Sequence, residues 1–230
     1  MWGSLKNRLL LSIIKLASLG QVKIRQLMDE TGISLDTIEE FLNELARVNY
    51  IKIEDELIEI SSEQKINLAI LAIKEGIDVE RVSRVLGWKE FEDLGVSVLD
   101  YSGFEARKHF RFKSSERRYE IDVLALKPQL ILSIDCKHWQ RSWQRAATIK
   151  AVEAQTDRTK ALIRLLPNFK SRLKIEDWER VEIMPLILTL STTPLKAFKK
   201  VPIVPIYNFR NFLNEIQTHK DEMEIFIVNV

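Results

Sequence analysis

The sequence predicts an α/β fold, and three observations carry that prediction. Residues 88–230 alternate helix-period and strand-period segments in the order helix, three strands, helix, strand. Residues 1–87 are dominated instead by the helical period, interrupted by one hairpin-like stretch, IKIEDELIEI. With 230 residues, 46% of them apolar, the chain is long enough to bury one large core or two modest ones.

In the first third, Leu5, Leu9, Ile13, Leu16 and Leu19 recur close to every 3.6 residues, which predicts a helix over 5–19 ended by Gly20. A short second helix is expected over 22–30, followed by the turn Thr31-Gly32-Ile33. Ser34 stands where it can cap a third helix reaching about Val48, with Leu35, Ile38, Phe41, Leu42 and Leu45 on its buried face. The hairpin after it turns at Glu54, Asp55 and Glu56. Three helices with such a turn, then a hairpin, resemble a winged helix-turn-helix, which places that domain at 1–61 and a helical linker at 62–87. In DNA-reading versions the helix after the turn carries basic and amide side chains into the major groove. Here it presents Asp36, Glu39, Glu40 and Glu44 against a single Arg47, so phosphates would repel it. Protein contact or dimerisation is the expected use of this module.

Charge is unevenly divided. Residues 1–60 and 61–104 each carry a net −3, residues 105–174 carry +10 and residues 175–230 carry −2, for a total of +2. A local basic excess of that size is the footprint of a polyanion partner, or else of basic solvated helix faces. A single cysteine, Cys136, excludes an intramolecular disulfide and a thiolate-rich zinc site. The apolar run at Leu9–Ile14 is too short, and too soon interrupted by Lys15, for a signal peptide or a membrane span. A soluble cytoplasmic protein is therefore expected.

The stretch YEIDVLALKPQLILSIDCKHW, residues 119–139, holds the chemistry. If Pro128-Gln129 turns an antiparallel hairpin, Asp122 stands directly opposite Asp135, and alternation puts Asp135 and Lys137 on one face with Ile134 and Cys136 on the other. Glu120 is expected on the face of Asp122. Two facing carboxylates suit a hard cation such as Mg²⁺; without one they repel, and one pKa rises. Lys137 is then placed to steady negative charge on a phosphate.

Residues 88–170 are identified by this pattern as resembling the PD-(D/E)xK nuclease superfamily, which includes restriction endonucleases, Mrr-type enzymes, RecB-type nucleases and archaeal Holliday-junction resolvases. The resemblance implies a restriction-endonuclease-like αβββαβ core, with a nuclease domain over 88–230. Asp122 matches the family's second-strand acid, and Asp135-Cys136-Lys137 its acid-x-Lys. Glu92 matches the glutamate that the first core helix often adds, with Glu90 and Asp93 as rivals. The sequence departs from the pattern in two places: Ile121, not proline, precedes Asp122, and residue 135 is the shorter Asp.

By this resemblance Asp122, Asp135 and the Cys136 main-chain carbonyl would bind metal, and Glu92 would support a second metal or orient Lys137. The catalytic set is Glu92, Asp122, Asp135 and Lys137, and the cofactor is Mg²⁺ with Mn²⁺ as the expected substitute. The partner is DNA, in a homodimer that could address two strands. Arg107, Lys108, Arg111, Lys113, Arg117 and Arg118 before the acids, with Arg141, Arg145 and Lys150 after them, form the expected phosphate track. His138, Trp139 and Trp143 are expected to be structural. The function expected is a metal-dependent DNA endonuclease, restriction-like or junction-processing. The alternative is a non-catalytic DNA-binding or regulatory protein.

Overall fold

Local hydrophobic patterning accounts for the order of elements, and long-range pairing for their ends. The computed structural model describes residues 2–17, 21–115, 117–137 and 144–229, without the side chains of Trp2, Val79, Glu80 and Ser83. Two units divide the chain, Met1–Asp93 and Leu94–Val230.

The first unit opens with α1 (Trp2–Ala17), which buries Leu9, Leu10, Ile13 and Ile14 completely. Leu5 and Leu16, expected on that stripe, are half-buried, and Leu19 and Gly20 lie outside the described residues. The next expected helix begins two residues late. Val22 and Lys23 form β1 and pair with Ile58 and Leu57, so burial of Val22 against a distant strand overrides the local helical period. Helix α2 (Ile24–Thr31) ends at Gly32 in the left-handed region, φ 64°. Helix α3 (Leu35–Arg47) buries Ile38, Phe41, Leu42 and Leu45, but Leu35 is 40% exposed because it sits in the first turn, before the helix reaches its packing face. Ser34 makes no side-chain cap bond to the backbone; its hydroxyl meets Thr37 Oγ1 at 2.9 Å instead. Strands β2 (Lys52–Glu54) and β3 (Leu57–Glu59) complete a sheet of order β1-β3-β2, turning at Asp55 with φ 54°.

Helix α4 (Ser62–Lys74) starts on a reciprocal cap between Ser61 and Gln64 and packs on α1, and α5 (Val79–Val85) follows. Residues 62–87, expected as a linker, thus fall inside the first unit. Helix α6 (Trp88–Tyr101) begins in the first unit and continues into the second. It stops as expected before Gly103, whose φ of 80° takes the chain out of the helix.

The second unit is built on a mixed sheet. Strands β4 (Glu105–Lys113), β5 (Arg118–Lys127) and β6 (Leu130–Lys137) form an antiparallel meander. Helix α7 (Arg145–Leu165) and the short α8 (Lys170–Leu173) then lead to β7 (Arg180–Thr189), which pairs parallel with β6, as a strand-helix-strand crossover requires. Gly95 lets α6 approach β7 closely: a Cβ there would stand 2.9 Å from Leu188 Cδ2.

Strands β8 (Ala197–Phe198) and β9 (Val201–Pro205), α9 (Phe209–Glu215) and β10 (Phe226–Asn229) finish the chain. The prolines in VPIVPIY suggested an edge strand, yet β9 lies between β7 and the two-residue β8 and is buried throughout. The paired stretches are so short that few ladder bonds are asked of it: β7 pairs with it at three positions and β8 at two. Strand β10 pairs with the opening residues of β7, at positions that β9 leaves free. The αβββαβ order read from residue 88 is therefore present, in a mixed α/β protein whose N-terminal part is helical with a small sheet.

Candidate functional site

The site is assembled by a register. Five pairs, from Lys127↔Leu130 to Val123↔Ile134, follow the antiparallel pairing that a Pro128-Gln129 turn requires, with Gln129 left-handed at φ 62°. The pairing ends there, and just beyond it Asp122 and Asp135 lie close enough for their charges to interact. The main-chain N–H of Cys136 donates to Asp122 Oδ2 at 2.8 Å, which ties the two strands together at the acids. Ile134 and Cys136 are fully buried, as alternation required.

Alternation along β5 slips once, at the site. Ile121 and Leu124 both join the cluster that packs around Phe110, Ile131 and Leu162, although three residues separate them and a regular strand would send them to opposite faces. The register is the same on both sides, at Lys108↔Val123 and Phe110↔Ile121, but the pair between them is missing, and His109, opposite Asp122, has φ 51°. A non-glycine left-handed residue inside a strand is uncommon and bends the ladder, here beside a candidate functional carboxylate. Glu120, expected to share the face of Asp122, is engaged by Arg111 at 2.8 Å and by His109 at 3.1 Å.

Asp135 is 1% exposed and carries two cationic neighbours. Arg158, from α7, donates to its Oδ1 at 2.6 Å, and Lys137 Nζ stands 2.6 Å from its Oδ2 as a charge contact without hydrogen-bond alignment. Lys137 Nζ also lies 3.4 Å from the Cys136 carbonyl. Asp122 is half-buried, and its carboxyl is pushed above its ordinary range by burial and by the neighbouring Asp135 charge. The Cys136 N–H, Lys137 and Arg158 oppose that shift without cancelling it.

Arg158 belongs to a polar network that sequence reading missed. Gln155, fully buried on α7, accepts from Arg158 at 2.9 Å and donates to the Ser133 carbonyl at 2.7 Å and hydroxyl at 2.9 Å. Thr159 closes it, donating to the Gln155 carbonyl at 2.9 Å with its hydroxyl 3.0 Å from that of Ser133. The signal was present: Gln155, Arg158 and Thr159 are spaced i, i+3, i+4 on one helix face, and a polar stripe there is unusual in a helix that covers a sheet.

Of the other predicted residues, Glu92 is 3% exposed on α6, and Glu90 beside it is paired with Lys65 at 2.6 Å. Arg107 bonds to the main-chain carbonyls of Arg172 and Leu173 and to Glu105, which makes it a strap between β4 and α8. Arg111 is held by Glu120, and Lys108 is half-buried. Lys113, Arg117, Arg118, Arg145 and Lys150 are exposed. Arg141, His138, Trp139 and Trp143 lie outside the described residues. Among the described residues no cluster of three or more His, Cys, Asp or Glu side chains gathers, and no helix is long and apolar enough to cross a membrane.

Fold and site together define a mixed α/β protein with an αβββαβ core and two aspartates with a lysine at the end of its central hairpin. No family model matches the chain. It is 26% identical over 135 residues to an uncharacterized protein of Archaeoglobus fulgidus, an alignment covering 59% of this chain and 95% of that protein. Two solved structures align with it. Protein VC1899 from Vibrio cholerae does so with a TM-score of 0.41 and 11% identity over 96% of this chain and 54% of that one. The restriction endonuclease FokI does so with a TM-score of 0.39 and 14% identity over 93% and 44%. The chain spans about half the length of these two structures.

Proposed function

We propose that the second unit is a metal-dependent DNA endonuclease that hydrolyses phosphodiester bonds, in restriction-like or junction-processing service. The observation that carries this reading is the crowding of Asp122 and Asp135 at the end of one hairpin, with Lys137 2.6 Å from Asp135. An acid whose pKa is raised by burial and by a second acid beside it is costly to a fold and suits a site that takes up positive charge.

The donor set fits a hard divalent cation: two carboxylates and the Cys136 carbonyl are all oxygen ligands. With so few protein donors the ion would keep several waters, the habit of Mg²⁺ and, as substitute, Mn²⁺. When bound, the ion supplies positive charge at the phosphate oxygens and lowers the pKa of a nearby water. The chain's own residues do the rest. Cys136 N–H holds Asp122 in place, and Arg158 fixes the orientation of Asp135 from α7. Lys137, partly exposed at the end of β6, offers its ammonium to the phosphate, where negative charge develops. The supporting role of Glu92 comes from the family resemblance and is tested by Glu92→Gln. Lys113, Arg117, Arg118 and Arg145 would follow the DNA backbone, giving affinity that falls with salt.

For the first unit we propose a winged-helix module used for protein contact. Asp36, Glu39 and Glu40 are exposed on α3, the helix that would otherwise meet phosphate, and Glu44 is paired with Lys6 at 2.6 Å. Contact between two copies would set two sites against two strands.

A second reading, DNA binding without cleavage, is favoured by the double pairing of Asp135 with Arg158 and Lys137. Incubation with Mg²⁺ or Mn²⁺ and labelled duplex, single-stranded, flap and four-way-junction DNA separates the two readings. Cleavage that disappears in Asp135→Ala and in Lys137→Ala supports the nuclease. Binding with no product on any substrate supports the binder.

A further inference from the structure

The far end of the β4–β5 hairpin, away from the Pro128-Gln129 turn, carries a second feature, of which the nuclease reading uses only the cations Lys113 and Arg118 and not the aromatic floor. A groove of about 760 Å³ opens there, rimmed by Arg111, Lys113, Arg118 and Arg172 and floored by Phe112, Tyr119 and Phe169. We propose that it holds an unpaired nucleotide of a DNA strand, with the base on the aromatic floor and the flanking phosphates on the rim. The choice of DNA rests on the proposed function; the pocket itself rests on the following geometry.

The rings are arranged as a platform. Phe112 and Tyr119, paired across the two strands, stack with centroids 5.2 Å apart and planes 12° from parallel. Phe169 meets Phe112 nearly edge-on, with centroids 6.0 Å apart at 68°. Tyr119 and Phe169 are only half-buried, so the platform is not sealed by core on every side.

Cations already mark the ring faces. The exposed Arg117 guanidinium lies 4.5 Å from the centre of Tyr119, and Arg172 lies 4.3 Å from the centre of Phe110 and 5.9 Å from that of Phe169. A ring face that takes an exposed, planar guanidinium is one on which another flat π system can settle.

Charge chooses the kind of ligand. The lining has four cations against one acid, Glu120, and that acid is held by Arg111 at 2.8 Å and His109 at 3.1 Å. An apolar floor with a cationic rim matches a base carrying phosphates on either side. A base inside a duplex already has both faces stacked on neighbours, so the floor offers it little; an unpaired base gains the full contact.

Position agrees with this use. Tyr119 precedes Asp122 by three residues on the same strand, roughly 10 Å at about 3.3 Å per residue. A strand with a phosphate at the aspartates therefore has a nucleotide within reach of the groove.

Metal-free binding tests the pocket apart from catalysis. The probes, read by fluorescence anisotropy in EDTA with the full chain, are a labelled 12-mer single strand, a fully abasic strand of the same length and a blunt duplex. The expected result is that Tyr119→Ala weakens single-strand binding about tenfold, that Tyr119→Phe restores it, and that abasic and duplex affinities stay within twofold. Phe112 and Tyr119 also pack on the core, so Arg118→Glu, exposed on the rim, provides a second variant. It is expected to weaken single-strand binding with an unchanged melting temperature.

Single-strand affinity unchanged in both variants overturns the pocket, as does an equal loss on the abasic strand in Tyr119→Ala. If instead the wild type binds as expected but cleaves nothing with Mg²⁺, the nuclease reading fails and the pocket stands.

Discussion

The two units each set a carboxylate at least half out of water with a lysine nearby, and the balance of burial against charge falls in opposite directions. In the first, Glu90 and Lys65 are 7% and 6% exposed and pair one to one at 2.6 Å. Burial pushes the Glu90 carboxyl up, but the hydrogen bond from Lys65, the Glu90 main-chain N–H and the charges of Lys65 and Lys89 outweigh it, so its pKa lies below the ordinary 4.5. In the second unit, burial and the charge of Asp135 push the Asp122 carboxyl up, and the opposing groups do not bring it back. A matched pair serves the fold. An acid left in tension beside another acid is what a cation-binding site needs in its empty state.

The contrast is broken most severely at the acids themselves. Lys137→Ala or Asp135→Asn is expected to reduce Mg²⁺-dependent cleavage by about 10²–10³-fold while leaving the far-UV circular dichroism spectrum unchanged. Retention of cleavage within tenfold in both variants would remove these residues from the chemistry.

Next in size is the matched pair. Glu90→Gln leaves Lys65 buried without its counter-charge and is expected to destabilise the first unit by about 3–5 kcal/mol, read by urea unfolding at pH 7. The pH dependence sharpens this. Because the folded pKa of Glu90 is lowered, its contribution is fully present above the ordinary 4.5 and is lost as pH falls through the lower folded value. Wild type and Glu90→Gln should therefore converge in stability as pH drops below 4.5, and a gap that persists there would contradict the ion-pair account.

Asp122→Asn is expected to act in the opposite sense. It removes the strained charge while keeping the side-chain shape, so the metal-free melting temperature should rise by about 2–4 °C, roughly 1 kcal/mol, even as cleavage is lost. A fall in melting temperature would mean that the carboxylate is stabilising after all.

The smallest effect concerns Arg158. Arg158→Leu leaves Asp135 with Lys137 alone and is expected to slow cleavage about tenfold by loosening the orientation of Asp135. Arg158→Lys should recover part of the rate, and an unchanged kcat in the leucine variant would leave Arg158 a purely structural residue.

How much of this was legible in the sequence depends on distance along the chain. The hairpin register follows from residues 118–137 alone, because a two-residue turn and a period of two are local properties. That is why Asp122 and Asp135 could be brought to the same end of one hairpin from the letters. The departure of Val22-Lys23 from helix was not legible, because its cause is Ile58, thirty-six residues away. The interior placement of β9 and the pairing of β10 with β7 were hidden for the same reason, since both depend on which positions of β7 its other neighbours leave open.

By itself, then, the sequence determined the α/β class, the element order from residue 88, and a pair of aspartates with a lysine on one hairpin. Each of these is written in turn chemistry and hydrophobic period over a few residues. Only the tertiary structure decided that Arg158 and Gln155 brace Asp135, that Arg107 is a strap to α8, and that the β4–β5 ladder misses one pair where His109 stands opposite Asp122. Those outcomes are set by which side chains the packing of α7 and α8 brings against the sheet, a contest among residues that are neighbours in space and strangers in sequence.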